Sequence, residues 1–130
     1  MNPPAARIES LTILIAEDNA ADRLLLSTIV SRQGHRVLTA GNGLEAVALF
    51  ETERPQLVLM DVMMPVMNGY EAARALRACS SARSEEVKIV ALTANAFAED
   101  VDAAMGAGMD GYLAKPVETD KLLETVQQVL

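Results

Sequence analysis

Five polar side chains stand at the ends of short apolar runs in this 130-residue chain. "TILIA" runs into Glu17 and Asp18, "LVLM" into Asp61, "VKIVAL" into Thr93 and "GYLA" into Lys115. A further run, "RVLTA", ends on Ala40 and Gly41 and offers nothing chemical. Three carboxylates, a hydroxyl and an ammonium on one rim suit a divalent cation held together with a phosphate. Two like charges about 4 Å apart repel by roughly 4 kcal/mol at an effective dielectric of 20. Lys115 offsets part of that cost and a cation would offset more. An all-oxygen donor set without His or Cys selects Mg²⁺, or Mn²⁺ in its place, over zinc. Taken singly, each acid reads as a loop residue or a helix cap, and Asp18 ahead of "NAADR" is placed to cap a first helix. Asp61 resists that reading, because a carboxylate directly after four apolar strand residues is desolvated and needs a partner.

The elements that would bring these residues together are legible in the apolar pattern. The runs Thr12 to Ala16, Arg36 to Ala40, Leu57 to Met60, Val87 to Leu92 and Gly111 to Ala114 read as strands. Three lack in/out alternation, as strands covered on both faces do. Helical stripes lie between them: Leu24, Leu25, Thr28 and Ile29; Leu44, Val47 and Ala48; Tyr70, Ala73, Leu76 and Arg77; Val101, Ala104 and Met105. A last stripe holds Leu122, Leu123, Val126, Val129 and Leu130. Gly34 and either Gly106 or Gly108 sit where helices stop. Asn68-Gly69 reads as a turn, residues 78–86 as a loop, and residues 1–10 as a flexible lead to a single domain over 11–130. Five βα repeats with short right-handed crossovers give a three-layer α/β sandwich. In such a sheet, ligands bind beyond the carboxyl ends of the strands, where all five polar residues fall.

Composition closes off other classes. Eleven Lys+Arg against eighteen Asp+Glu give a net charge of −7, the wrong sign for affinity to nucleic-acid phosphates. Cys79 is the sole cysteine, which excludes an internal disulfide and a multi-cysteine metal site. No apolar run approaches the roughly 20 residues that span a bilayer, and the first residues hold no signal-peptide core. A soluble cytoplasmic domain is expected. His35, after a helix-ending glycine, reads as a surface loop residue, and the methionines around Asp61 read as flexible packing.

The ordered set "ILIAEDN", "LVLMDVMMPVMNG", "IVALTA" and "GYLAKP" resembles the receiver domains of two-component response regulators, over Leu11 to Leu130. The resemblance implies a flavodoxin-like (βα)₅ parallel five-stranded sheet of order 2-1-3-4-5; a chemotaxis receiver is the standard illustration of that order. It implies Asp61 as phosphoacceptor, and Glu17, Asp18, Asp61 and the Met63 carbonyl as the Mg²⁺ set. It implies Thr93 and Lys115 as ligands of the phosphoryl oxygens, with Thr93 and Tyr112 as a two-state switch. The Lys115-Pro116 bond is expected to be cis, a state only proline makes cheap. Glu17 stands where an Asp is common, and its extra methylene still permits a water-mediated metal contact. Met63 and Asn95 occupy positions that tune phosphoryl lifetime in the family.

The implied partners are a histidine kinase or histidine phosphotransfer protein and a downstream protein or tethered output domain. No nucleic acid or membrane is implied, and a phosphorylation-dependent dimer through the fourth helix, fifth strand and fifth helix is. Function is then phosphorelay signalling with weak self-catalysed phosphoryl gain and loss, not metabolism. Three competing readings fit the residues less well. A dehalogenase-type phosphohydrolase needs a second Asp where Met63 stands, and a cap domain. A nucleotide or flavin binder needs a glycine-rich first turn. A phosphorylation-independent binding module would not need the complete site. "ALTANAF" and "GMDGYLAKPV" are similar to receivers of hybrid kinases, whereas Met1 and the short lead favour an N-terminal position.

Overall fold

A computed structural model describes residues 10–79, 86–94 and 98–129. Ten elements alternate along it: β1 (Thr12–Ala16), α1 (Ala20–Arg32), β2 (Arg36–Ala40), α2 (Gly43–Glu53), β3 (Leu57–Asp61), α3 (Gly69–Ala78), β4 (Lys88–Thr93), α4 (Ala98–Gly106), β5 (Gly111–Ala114) and α5 (Thr119–Val129). All strands pair in parallel in the order β2-β1-β3-β4-β5, as expected. β1 and β3 lie inside this sheet and are apolar on both faces, which is why their sequences do not alternate. Leu14, Met60, Phe50, Leu76 and Ile89 belong to a core shared with α2, α3 and α4. Ile13, Ile15, Leu59, Leu92, Leu26 and Leu122 form the second core, under α1 and α5.

Two strands run one residue further than their apolar runs. β3 includes Asp61, which pairs with Leu92, and β4 starts at Lys88 and includes Thr93, which pairs with Ala114. The ladder continues because the Val62 N–H donates to the Leu92 carbonyl at 3.1 Å and the Lys115 N–H to the Thr93 carbonyl at 2.7 Å. The backbone at Asp61 and Thr93 is therefore fixed by hydrogen bonds of the sheet.

The stripes expected for α1 and α2 are rotated. Leu24 and Leu25 are 68% and 56% exposed, and the buried positions of α1 are Leu26 and Val30. Three consecutive leucines left the phase of the helix open, and the Leu26/Val30 spacing of four packs on the sheet. In α2, Leu44 and Ala48 face outward while Ala46 and Phe50 are buried. α5 buries Leu122 and Val126 as read. In α3 Ala73 and Leu76 are buried, and in α4 Ala104 is buried while Met105 is exposed. Gly34 (φ 91) and Gly108 (φ 97) supply the left-handed turns after α1 and α4.

His35 is the other correction. It is buried, and its Nδ1 accepts from the Leu11 N–H at 2.9 Å, tying the entry of β1 to that of β2. Burial pushes its imidazole below the usual pKa. Residues 1–9, 80–85 and 95–97 and Leu130 lie outside the described residues, and with them nearly all of the lead, most of the 78–86 loop, and Asn95.

Candidate functional site

The sheet's C-terminal edge carries the site. Glu17 follows β1 and is fully buried; its N–H donates to the Ala40 carbonyl at 3.0 Å. Asp18, the next residue, is exposed. It does not cap α1: Asn19 is the cap, its side chain accepting from the Asp22 N–H at 2.9 Å. That leaves the Asp18 carboxylate available to the rim. Asp61 ends β3 at 3% exposure, with Oδ1 accepting from the Met63 N–H at 3.1 Å. One carboxylate oxygen from each of Glu17, Asp18 and Asp61 lies within 4.8 Å of the others. Thr93 ends β4, buried, and Lys115 follows β5 across a cis bond to Pro116.

Lys115 is the charge partner of the buried acids. Its Nζ lies 2.9 Å and 3.1 Å from the two Glu17 oxygens and 3.1 Å from Asp61 Oδ2. Burial and the neighbouring Asp61 push Glu17 up to about 8 despite the ammonium. Burial works to lower the Lys115 pKa, but its bonds to Glu17 and Asp61 prevail and raise it. With the acids ionised, three carboxylates against one ammonium leave a charge of −2 in an all-oxygen site. That fits one hard divalent cation, with the exposed Asp18 side open to solvent for its waters.

Sequence reasoning missed three supports of this arrangement. Arg23 of α1 reaches back to donate from Nη1 to the Glu17 carbonyl at 2.7 Å. Gly69 is needed for packing, since a Cβ there would run into the Asp61 carbonyl and lie 2.8 Å from Val62 Cα. Asn68 is an N-cap in a reciprocal capping box with Glu71 and not merely a turn residue. The "NGYE" spacing of Asn68 and Glu71 is a capping signature that could have found it. Tyr112 sits on β5 beside Ala91, two residues before Thr93's partner Ala114, and is exposed. A cleft of about 310 Å³ opens beside the acids, lined by Glu17, Asp22, Leu25, Leu26, Lys115, Pro116 and Val117.

Residues 13–127 match the model of the response regulator receiver domain. Protein PilH of Pseudomonas aeruginosa is 36% identical over 118 residues, covering 91% of this chain and 96% of that protein. Sensor histidine kinase GacS of Pseudomonas protegens is 40% identical over 115 residues, 88% of this chain but only 12% of the kinase. Among solved structures, chemotaxis protein CheY4 of Vibrio cholerae superposes with a TM-score of 0.85 at 33% identity, covering 92% of this chain and 98% of that one. The receiver domain of sensor histidine kinase PA1611 from Pseudomonas aeruginosa, with a magnesium ion in its active-site cleft, gives 0.83 at 36% identity over 92% and 96%. The receiver domain of Ssk1, seen in complex with the Saccharomyces cerevisiae histidine phosphotransfer protein Ypd1, heads a co-crystal that gives 0.83 at 30% identity over 94% and 93%. With four sequence motifs, strand order and rim geometry in agreement, the chain belongs to the receiver domains of response regulators, the signalling modules of two-component phosphorelays.

Proposed function

We propose that this chain takes a phosphoryl group onto Asp61, in the cytoplasm, from the phosphohistidine of a histidine kinase or phosphotransfer protein. The observation that carries the proposal is the floor of the rim: Asp61, nearly buried, has Oδ1 fixed by the Met63 N–H and Oδ2 by Lys115. That pins the carboxylate in one orientation, which an in-line displacement requires. One Asp61 oxygen forms the bond to phosphorus while the P–N bond breaks and its electron pair stays on the donor imidazole. Lys115 Nζ, already beside Asp61, follows the charge on the transferred oxygens, and Thr93 donates to another of them.

Glu17, Asp18, Asp61 and the Met63 carbonyl would hold Mg²⁺, with Mn²⁺ as a substitute. Bound there, the cation neutralises charge on the phosphoryl oxygens. Water entering the same site removes the group again, a slow self-catalysed loss. Phosphorylation adds about one negative charge and more acceptor oxygens. That draws Thr93 inward, and Tyr112, now exposed on β5, follows into the vacated space. The α4–β5–α5 surface then changes its affinity for a downstream protein, a tethered output domain or a second copy of the chain.

The test is intact mass after incubation with acetyl phosphate and Mg²⁺, with Asp61→Asn and metal-free samples alongside. A single phosphoryl adduct that needs both Asp61 and the metal is expected. No adduct, together with an unchanged spectrum in beryllofluoride, would leave a phosphorylation-independent binding module as the better reading.

A further inference from the structure

The loop from β3 to α3 holds one residue in an unfavourable shape. Val66 has φ 70, and across it the Met67 N–H donates to the Pro65 carbonyl at 2.7 Å. Pro65, Val66 and Met67 therefore form a γ-turn closed over a positive φ, a rare and strained turn. A β-branched side chain makes positive φ a true outlier. Such strain persists only where the surroundings over-determine it. Here the Gly43 N–H donates to the Met67 carbonyl at 3.1 Å, and the Gly69 N–H to the Val62 carbonyl at 3.0 Å. The strained side chain gains no burial in return: Val66 is 78% exposed and Met63 77%, the two highest values among the large hydrophobic residues described.

These two side chains follow Asp61 by five and two residues, on the loop that forms one lip of its rim. Asp61 itself is only 3% exposed. A phosphoryl group carried on a histidine of another protein reaches such a carboxylate only if that protein's surface settles onto the lip. The chemistry of the site thus identifies what covers Val66. We propose that Val66 is a specificity-determining contact for the phosphohistidine-bearing protein that loads Asp61, an apolar knob held outward by the strained turn and buried only in that encounter. The inference rests on Asp61 as acceptor. A small donor such as acetyl phosphate needs no contact with the lip, so two donors separate docking from chemistry.

The experiment compares the wild type, Val66→Gly and Val66→Ile with acetyl phosphate and with a panel of phosphorylated histidine phosphotransfer proteins, Ypd1 among them. Glycine relieves the turn and removes the knob, whereas isoleucine keeps both. Val66→Gly is expected to melt a few degrees higher, to label from acetyl phosphate within about twofold of wild type, and to accept from the protein donors at least tenfold more slowly. Val66→Ile is expected to keep the wild-type rate from both. Unimpaired transfer from the protein donors to Val66→Gly would overturn the proposal. So would a parallel loss with acetyl phosphate, an unraised melting temperature, or a wild type that labels from acetyl phosphate but from none of the proteins. Absence of any labelling of the wild type, by contrast, would overturn the phosphoacceptor reading itself.

Discussion

Replacing Gly69 by alanine tests how Asp61, the proposed acceptor, is positioned. Gly69 opens α3, and its missing side chain lets the helix start pack directly on the end of β3. A Cβ would meet the Asp61 carbonyl oxygen, lie 2.8 Å from Val62 Cα and 3.0 Å from the Asp61 carbonyl carbon. All three are backbone atoms in or next to a buried strand, so no side-chain rotation relieves the clash. Either α3 retreats or the end of β3 shifts. Overpacking of this kind costs about 1–3 kcal/mol. Retreat of α3 also stretches the 3.0 Å bond from the Gly69 N–H to the Val62 carbonyl, worth about 1 kcal/mol. The sum, about 2–4 kcal/mol, lowers the Tm of a chain this long by about 7–14 °C. Phosphoryl uptake should fall as well, because the Met63 N–H and the Asp61 carboxylate move with the strand end. The control is Gly106→Ala, at the end of α4, where a Cβ meets nothing within 4 Å and φ is not positive. It should be neutral or gain up to about 1 kcal/mol. Urea unfolding of both variants decides the matter. If Gly69→Ala retains stability within about 0.5 kcal/mol and wild-type uptake, the close approach does not position Asp61.

Removing the ammonium in Lys115→Met should slow uptake from acetyl phosphate by about 10²–10³-fold, as loss of one donor to a developing anion does. In metal-free buffer its stability loss should stay below the roughly 3–5 kcal/mol of a stranded buried charge, because Glu17, raised to about 8, holds a proton at neutral pH that it can share with the buried Asp61; an uptake rate equal to wild type refutes the role. The lowered pKa of His35 predicts a pH window. Its neutral form contributes stability that is complete above the unfolded value of 6.5 and is lost as pH falls from there toward the lower folded value, at up to about 1.4 kcal/mol per unit. His35→Asn, which keeps an acceptor for the Leu11 N–H, should lack that slope, so parallel urea midpoints from pH 8 to 5 would contradict the assignment. Arg77 donates from Nε to the Gly108 carbonyl at 2.8 Å, from Nη1 to the Val87 carbonyl at 2.9 Å and from Nη2 to Asp110 at 2.7 Å. Arg77→Met should therefore cost about 2–4 kcal/mol and speed hydrogen exchange at 107–111, and unchanged exchange there would count against it.

The sheet was legible because its signal is local. β1 and β3 are buried on both faces, and a run such as "TILIA" or "LVLM" has few other uses. Strand ends were harder, since a ladder does not stop at the last apolar residue. Asp61 and Thr93 are polar, yet both pair, because the backbone cares only for the neighbouring N–H and carbonyl. The phase of α1 was illegible for a different reason. With Leu24, Leu25 and Leu26 in succession, every choice of face buries a leucine, and only the packing under α5 and β1 selects Leu26. His35 was misread because its partner, the Leu11 N–H, is 24 residues away and an imidazole acceptor leaves no pattern in the sequence.

The positions of the rim residues were more legible than the buried faces of the helices, and the physical reason is their chemistry. A carboxylate, hydroxyl or ammonium at the end of a buried strand is costly unless something answers it, so its position alone marks it. What the residues could not disclose is how the answers are shared. Lys115 reaches both buried acids and not the exposed Asp18, whose own bond to α1 is pre-empted by Asn19. The consequence is a division of labour among three similar side chains. Glu17 and Asp61 are locked to one cation of the chain, while Asp18 alone faces water. Removing Asp18 should therefore weaken divalent binding without loosening the fold, whereas removing Glu17 strips Lys115 of its two closest contacts. In the proposed chemistry, the same Lys115 that pairs with the resting acids also follows the phosphoryl oxygens. Resting stability and phosphoryl recognition would then draw on one ammonium, so phosphorylation is expected to loosen the Lys115–Glu17 contact that joins the ends of β1 and β5.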